Sequence, residues 1–201
     1  MNTSATGGYI RESPGATRRE QVEDAIHAMV VGLTGLDPVL VRPAFQEDPL
    51  AAPAPEVDWC AFHVADSSAT NFPDARHVPD GDGHDEITDW TDKEIRLSFY
   101  GKLSEEYAGM TRRGLHIEQN RFRLRESGIS VRRAGNAAPF PELVNGKWLR
   151  RCDLVIFATL EATGGYAVLN LLQSGGPVKT DSFRDGEQFA TQFDTDGHAR
   201  R

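Results

Sequence analysis

Two histidines in a short acidic stretch are the side chains best suited to metal or proton chemistry in this sequence. The stretch HVPDGDGHDE, residues 77–86, combines His77 and His84 with four acidic residues. An EF-hand calcium loop needs a glycine at its sixth position and a glutamate at its twelfth. Counted from the first aspartate of the stretch, those positions hold Asp85 and Thr91. The pattern therefore predicts a solvated turn, with loose binding of a divalent ion as the alternative.

The other residues of catalytic type do not form a recognisable set. His63 and Asp66 lie three positions apart in FHVAD, and on a strand residues at that spacing point to opposite faces. No serine sits in a Gly-x-Ser-x-Gly turn, and TGGY at 163–166 lacks the glycine spacing and the lysine of a nucleotide loop. We therefore predict no catalytic residue, no metal site and no cofactor. A small metal-dependent hydrolase using His63, His77 and His84 is the enzyme alternative.

Hydropathy points to a cytosolic or cytosol-assembled protein, and the two cysteines form no recognisable motif. Cys60 and Cys152 are far apart and match neither a zinc motif nor a disulfide framework, so we predict two buried thiols. No apolar run approaches the ~18 residues that a membrane helix needs. The first 20 residues lack the apolar centre of a signal peptide.

Acidic and basic residues are unevenly distributed along the chain, whose net charge is −8 at pH 7. Residues 1–101 hold 7 Lys and Arg against 18 Asp and Glu, residues 102–151 hold 11 against 5, and residues 152–201 hold 4 against 7. A chain this acidic is a poor general binder of nucleic acid. Segregated charge suits head-to-tail contact between copies of one chain, with ordinary solvated surface as the alternative.

Arginines dominate the basic segment and are the residues that we single out as binding groups, because arginine captures carboxylates and phosphates through paired hydrogen bonds. We expect them to dock the acidic residues of a neighbouring subunit. Contact with passing DNA is one alternative, and solvated guanidinium groups with apolar stems covering a sheet are another. The predicted docking arginines are Arg112, Arg113, Arg121, Arg123, Arg132 and Arg133. The predicted acidic counterparts are Glu86, Asp89, Asp92 and Glu94.

The elements that must position these groups begin with one helix and an edge strand. Apolar residues at spacings of four, three and four predict a helix with one apolar stripe, made of Val22, Ile26, Met29 and Leu33. Thr17 and Glu20 form a capping box at its start, and Gly35 ends it by adopting the left-handed conformation. VLVRPAFQ, residues 39–46, predicts a short strand, which Pro43 places at a sheet edge or a bulge.

The middle of the chain predicts two antiparallel strands joined by a long arm. DWCAFHVAD, residues 58–66, alternates with Cys60 facing inward, and EIRLSFYG, residues 94–101, alternates with Ile95 on one face. The polar segment between them ends in Gly- and Asp-rich turn residues. We assign residues 67–90 to this hairpin arm.

Two further helices and two strands are predicted after the arm. The second helix carries an apolar stripe of Leu103, Tyr107 and Met110. A short helix follows over residues 118–127. Strands are predicted over 128–133 and 148–165, with a loop over 136–147 between them. Residues 166–173 fit a last strand or a helical turn equally well.

This order of elements predicts an α+β fold. We expect a mixed, largely antiparallel sheet with two main helices packed on one face, a long hairpin arm and an extended C-terminal tail. The predicted divisions are a flexible N-terminal segment over 1–16, one α/β domain over 17–173 and the tail over 174–201.

Five segments, taken in order, resemble the phage neck or tail terminator protein family. They are GLTGLDPVLVRP, DWCAFHV, IRLSFYG, GISVRRAG and GKWLRRCDLVIFATLEA, and they span roughly residues 18–165. The resemblance rests on the ordered set and on no single motif. This chain departs from compact members of the family in the arm over 67–90 and in the tail after Ser174.

The resemblance implies an α/β sandwich and a structural role in the virion of a tailed phage. It implies a ring, usually hexameric, at the head-proximal end of the tail tube, which stops tail polymerisation and presents a surface to the head-completion proteins. The implied partners are copies of the chain itself, the tail tube protein and the head-completion or connector proteins. Genome DNA would pass through the lumen without sequence-specific binding.

The resemblance further implies a location in the tail or neck of the virion, assembly in the host cytoplasm, and no enzymatic activity. A head-closure or adaptor protein of the same neck is the alternative.

Overall fold

A computed structural model of the chain describes residues 2–13, 19–45, 51–69, 72–144, 147–171, 178–184, 187–193 and 199–200. The helices are α1 (Arg19–Thr34), α2 (Ser104–Gly114) and α3 (Glu118–Arg125), and a 3-10 turn spans Pro38–Leu40. The first strands are β1 (Val41–Pro43), β2 (Trp59–Ala69), β3 (Asp74–Val78), β4 (His84–Tyr100), β5 (Ile129–Ala134) and β6 (Ala138–Pro139). The remaining strands are β7 (Glu142–Val144), β8 (Lys147–Leu149), β9 (Arg151–Tyr166), β10 (Val178–Arg184), β11 (Glu187–Phe193) and β12 (Ala199–Arg200).

The main sheet has the strand order β1-β2-β4-β9-β5, with β3 added along β4 and β6 along β9. Only β1 and β2 run parallel, and the other pairs of this sheet are antiparallel. The central pair is β4 and β9, which stay in register from Asp85 opposite Tyr166 to Tyr100 opposite Arg151. The predicted α+β fold with a mixed, largely antiparallel sheet is confirmed.

The core lies between one face of this sheet and the three helices. Alternate residues of β4 are buried, as strand geometry requires, and they are Ile95, Leu97 and Phe99. Their cross-strand partners on β9, Ile156, Leu154 and Cys152, are buried too. The same cluster includes Ile26 of α1, Ala108 of α2 and Leu124 of α3. All three helices therefore cover one face, and the residues between the buried ones point to the uncovered face, called here the open face.

Helix α1 ends as its sequence predicts. Gly35 has a φ of 72°, and its amide donates to the carbonyl of Val31 at 2.8 Å. The chain then makes a 3-10 turn. The Asp37 side chain caps this turn, because its Oδ1 accepts a hydrogen bond from the Val39 amide at 3.0 Å. The strand predicted over 39–46 is therefore only β1, Val41–Pro43, and it lies at the sheet edge as Pro43 predicts. The predicted cap at Thr17 lies outside the described residues.

The predicted apolar stripe of α2 is wrong at two of its three residues, and only Tyr107 packs against the core. The buried residues of this helix are Ser104, Ala108 and Thr111, while Leu103 and Met110 are exposed. Small side chains let the helix axis approach the sheet closely, so residues of low hydropathy fill the contact. The hydroxyl of Thr111 is satisfied by the carbonyl of Tyr107 at 2.9 Å.

The arm is a hairpin, as predicted, and most of its described residues lie in strands. Strands β2 and β3 run in succession along one edge of β4, and the chain reverses at the turn between Val78 and His84. Strand β4 thus begins at His84, well before the predicted start at Glu94. The outer half of β9 pairs with the other edge of the arm as far as Tyr166.

Two segments without regular structure lie against the outer part of the arm. The side-chain amide of Asn170 donates to the carbonyls of Pro79 at 3.0 Å and Gly81 at 3.1 Å in the turn. The N-terminal residues follow the end of β9, where Glu12 forms a β-bridge with Tyr166. Residues 167–171 are neither the strand nor the helical turn that the sequence left open.

Two regions contain strands where none were expected. The loop predicted over 136–147 holds β6 and β7, and β7 and β8 form a separate two-stranded hairpin. In the predicted C-terminal tail, β10, β11 and β12 form an antiparallel sheet of their own. No helix in the described ranges is long and apolar enough to cross a membrane.

The turn of the arm is held by a histidine whose hydrogen bonds raise its pKa. The ring of His77 faces two acceptors, Asp85 Oδ1 at 2.6 Å and Asn170 Oδ1 at 2.9 Å. The hydrogen bond to Asp85, then that to Asn170, raises the pKa of His77 above its ordinary value. Because folding raises the pKa of His77, the charged His77 ring stabilises the turn of the arm. This stabilisation is complete below about pH 6.5 and is lost as the pH rises through the folded-state pKa.

An NMR titration of the His77 ring should accordingly give a midpoint above about 6.5, and Asp85→Asn should lower it. A His77 midpoint at or below the ordinary value in the unaltered chain would contradict this account of the tip.

Candidate functional site

Most of the predicted arginines lie on other elements than the predicted acidic residues, but Arg132 of β5 meets Asp92 of β4. Helix α2 carries Arg112 and Arg113, α3 carries Arg121 and Arg123, and β5 carries Arg132 and Arg133. Strand β5 is at one edge of the sheet. All four acidic residues are on β4, two of them, Glu86 and Asp89, in the arm. The arm adds its outer strand β3 on the side of β4 that faces away from β9 and β5.

Two of the predicted residues pair within one chain. The guanidinium of Arg132 lies 2.9 Å from Asp92 Oδ2. Asp92 also accepts hydrogen bonds from Thr159 at 3.0 Å and from Ser68 at 3.0 Å. The hydrogen bond from Thr159 is the largest cause that lowers the pKa of Asp92, so this carboxylate stays ionised well into the acidic range. Glu94 pairs in the same way with Arg96 at 3.0 Å.

A β-bulge presents the arginine pair of β5 to the open face. The register of β5 against β9 shifts between Val131 and Arg133, which places Arg132 and Arg133 on the same side instead of on opposite faces. Arg132 reaches Asp92, and Arg133 lies over the ring of Phe157 at 4.0 Å from its centroid. This cation–π contact fixes the position of a guanidinium on the open face.

Two arginines bind the backbone near the same edge of the sheet. Arg121 donates from Nη2 to the carbonyl of Val131 at the bulge, where the ladder hydrogen bonds are interrupted. Arg112 donates from Nε to the carbonyl of Gly135 at 3.1 Å. These contacts tie α3 and α2 to the segment that contains β5. Both side chains therefore have a role in the subunit itself.

The remaining predicted residues keep their charged groups at the surface. Arg113 is exposed at the end of α2, and Asp89 is exposed on the arm. Arg123 pairs with Glu126 at 3.2 Å on α3, and its side chain is 77% exposed. Glu86 lies 3.7 Å from His84. These groups are available to a second molecule without breaking the contacts described above for Arg112 and Arg121.

The sequence interpretation missed a cluster on the open face around Arg151. Its guanidinium binds Asp153 at 2.7 Å, Glu142 at 3.2 Å and the hydroxyl of Ser98 at 3.2 Å. Hydrogen bonding to Asp153 is the main reason that the pKa of Arg151 is raised further. The side chain also lies over Tyr100, which is stacked on Trp59 with 4.4 Å between ring centroids. The sequence signal for this cluster was the occurrence of polar and aromatic residues at alternate positions of β4 and β9.

Three large apolar side chains near β7 and β8 are exposed and were not predicted as a site. Phe140 is 61% exposed, Leu143 57% and Trp148 70%. Leu143 and Trp148 are direct cross-strand partners in the β7–β8 hairpin. Direct partners on a hairpin share one face, so they form one apolar surface there. These three residues are called the hairpin patch below.

A groove of ≈ 450 Å³ separates α1 from α3 on the helical side of the sheet. Its lining combines small residues of α1 with larger apolar ones. The small and apolar residues of the lining include Ala25, Ala28, Met29, Gly32, Leu33 and Leu124. Arg123 and Glu126, which pair with each other, form part of its rim.

The histidines do not form a metal centre in the part of the chain that the structure describes. No group of three or more His, Cys, Asp or Glu residues is placed there to hold an ion. His63 contacts Phe45 edge to face at 5.0 Å, while His77 and His84 are in the arm. Cys60 and Cys152 are buried and unbonded, as predicted, and burial raises the pKa of both thiols.

Comparison with known protein families identifies the class of this protein. Residues 20–182 match the family described as phage neck terminator protein. A search of curated proteins gave no match. The family match covers most of the chain, so this is a structural protein of the phage neck, in the tail region of the virion. The chain belongs to the phage neck terminator protein family, which confirms the resemblance.

Two neighbouring arginines of α3 should differ in their effect on stability. Arg121→Ala should reduce the free energy of unfolding by about 1–3 kcal/mol, because it leaves the Val131 carbonyl at the bulge without its charged donor. Arg123→Ala should change it by less than about 1 kcal/mol, because its ion pair with Glu126 is exposed.

Urea denaturation at several protein concentrations would measure both values and separate subunit stability from assembly. Equal effects of the two substitutions would contradict the structural role given to Arg121.

Proposed function

We propose that this chain is the tail terminator of a tailed phage and acts as a homomeric ring, most simply a hexamer, at the head-proximal end of the tail tube. The observation that carries the proposal is the position of the charges within a subunit that belongs to the neck terminator family. Exposed acidic groups lie on the arm, and exposed arginines lie on α2 and α3. One subunit thus carries two complementary surfaces at different places.

Complementary surfaces at different places favour a ring. A two-fold dimer pairs two such surfaces only where both belong to one self-complementary patch, and here they lie on different elements. Head-to-tail contact instead places the arm of one subunit against α2 and α3 of the next. Repetition of that contact closes into a ring when the rotation per subunit allows it. Arg112, Arg113, Arg121, Arg123, Arg132 and Arg133 remain the proposed basic side, and Glu86, Asp89, Asp92 and Glu94 the proposed acidic side.

The residues of this proposed interface have different roles. Arg113, Arg123, Glu86 and Asp89 are exposed or paired only at the surface, so they meet the neighbour directly. Arg121 holds α3 against β5 through the Val131 carbonyl. Arg132 and Asp92 form an intrachain pair on the open face, which fixes the surface that the neighbour approaches.

The chain acts by shape and charge in this proposal, with no bond-making step. Its other partners are the tail tube protein on one side of the ring and head-completion or connector proteins on the other. Genome DNA passes through the lumen, and the net charge of −8 disfavours its retention there. Assembly takes place in the host cytoplasm before the tail joins the head.

Removal of the chain from an infection tests the terminator role against the alternative of a head-closure protein. A phage in which the reading frame is interrupted should produce tails longer than normal and filled heads without tails, as seen by electron microscopy of lysates. Supplying the intact chain from a plasmid is the control and should restore normal tail length. Tails of normal length beside heads that lose their DNA would instead identify a head-closure protein.

The charged contact predicts a specific loss of assembly in Arg113→Glu. Reversing this exposed charge places like charges at the contact, so self-association should weaken by about tenfold or more in 0.1 M salt. Lys102→Glu, another exposed reversal, is the matched control and should assemble normally. Sedimentation velocity over a range of concentrations measures both. Normal assembly of Arg113→Glu would remove Arg113 from the interface.

A further inference from the structure

We propose that His77 and Asn170 form a pH-sensitive latch, which holds residues 167–171 against the turn of the arm. These residues are called the strap below. The latch is closed while both nitrogens of the His77 ring carry a proton, and it opens when one of these protons is lost. The inference goes beyond the proposed ring, because it concerns a movement within one subunit and holds whether or not copies associate.

Asn170 docks the strap on the turn. Its backbone amide donates to the carbonyl of Asp82 at 2.8 Å. Its side-chain amide donates to the carbonyls of Pro79 at 3.0 Å and Gly81 at 3.1 Å. Gly83 has a φ of 89°, and a Cβ built there would overlap Asn170 Oδ1. The turn is therefore shaped to receive the Asn170 side chain.

These contacts fix which atom of the Asn170 side chain faces His77. Carbonyl oxygens only accept hydrogen bonds, so the amide nitrogen must point to the turn and Oδ1 to the ring. The distance from His77 Nε2 to Asn170 Oδ1 is 2.9 Å, and Nδ1 lies 2.6 Å from Asp85 Oδ1. Both ring nitrogens thus face acceptors when Asp85 is ionised. Only the imidazolium form of histidine donates from both nitrogens.

Loss of one proton breaks the latch on the side of the strap. A neutral ring has one N–H group, and hydrogen bonds to an ionised acceptor are roughly twice as strong as those to a neutral one. The remaining proton therefore stays on Nδ1, facing Asp85. Nε2 then presents a lone pair to Asn170 Oδ1, and two acceptors at this distance repel each other. The ladder between β3 and β4 is retained, so the strap moves and the arm does not.

The surroundings of the ring set the direction of the pH dependence. Asp85 on β4 and Asn170 of the strap bind the ring and raise its pKa, with the hydrogen bond to Asp85 as the largest cause. The latch is thus closed below about pH 6.5 and opens as the pH rises through the folded-state pKa. Neighbouring titratable groups are Asp80 and Asp82 in the turn, Arg76 on β3, His84 and Glu86 on β4, and Tyr166 on β9 opposite Asp85.

Opening of the strap would also release part of the N-terminal segment. The Ser4 amide donates to the carbonyl of Ala167 at 3.1 Å, and the Leu169 amide donates to Ser4 Oγ at 2.8 Å. Glu12 instead forms its bridge with Tyr166, which belongs to β9 and not to the strap. The latch therefore controls the contacts of Ser4, while the bridge of Glu12 stays.

Hydrogen exchange followed by mass spectrometry tests the latch on the full chain. Exchange of peptides that cover the strap is measured from about pH 5.5 to about pH 8.5, the range in which histidines titrate, and divided by the intrinsic rate at each pH. Protection of the strap should fall about two- to tenfold across the midpoint of the His77 titration, the equivalent of about one hydrogen bond. Peptides from the core parts of β4 and β9 should keep their protection.

Substitutions at two neighbouring histidines identify the titrating group. His84 lies at the start of β4, close to the same turn and 3.7 Å from Glu86. His77→Gln removes the titrating ring, so strap protection should become independent of pH. His84→Gln is the matched control and should keep the fall in protection.

Two further variants change the partners of the ring. Asp85→Asn removes the ionised acceptor, so the fall in protection should move to lower pH. Asn170→Ala removes the docking side chain, so the strap should show the low protection of the open state at every pH.

A fall in strap protection in the unaltered chain and in His84→Gln, but not in His77→Gln, would support the latch. Strap protection that does not change with pH in the unaltered chain would overturn it. A fall that persists in His77→Gln, or one that is lost in His84→Gln alone, would assign the change to another group and overturn it too. The core peptides show whether each variant has folded, and if His77→Gln has not, an unchanged midpoint in Asp85→Asn would overturn the latch.

Discussion

The pairing of β4 with β9 is the interaction on which the rest of the structure depends. These two strands remain hydrogen-bonded over nearly their whole lengths and run from the core into the arm. Their inward residues, including Leu97 and Leu154, form the centre of the core, and their outward residues organise the open face. The arm is a continuation of the same ladder, so a surface far from the helices is positioned by the rigid sheet.

This construction explains how one small chain presents several separate surfaces. The helices cover only one face, so the other remains open for the Arg132–Asp92 and Arg151–Asp153 pairs. The bulge in β5 turns two successive arginines to the same side, and Arg121 satisfies the carbonyl that the bulge leaves. A sheet with helices on one side thus holds these surfaces in fixed relative positions.

Sequence periodicity predicted the elements whose large apolar side chains alternate. Ile95, Leu97 and Phe99 identified the central strand, and Gly35 identified the end of α1, because each follows a local rule. The prediction for α2 was wrong at Leu103 and Met110. The helix instead packs the smaller residues Ala108 and Thr111 against the sheet. Periodicity reports hydropathy, and it cannot report how near two backbones approach.

The candidate site was less predictable than the fold. Arginine content drew attention to residues 112–133. The chain order could not show that Arg132 would meet Asp92 or that Arg121 would bind the Val131 carbonyl, since both contacts depend on tertiary placement. The hairpin patch was missed because ELVNGKWL lies in a segment rich in turn residues. Exposure of Trp148 is a property of the fold and has no signature in the local sequence.

The central claim is that this protein of the neck terminator family works as a closed ring of identical subunits. The most direct test is the mass of the unaltered chain in solution, measured by native mass spectrometry at physiological salt. The account predicts one dominant species at a small integer multiple of the 22.2 kDa subunit, six being the expected number. A monomer at every concentration up to that of an infected cell would contradict it.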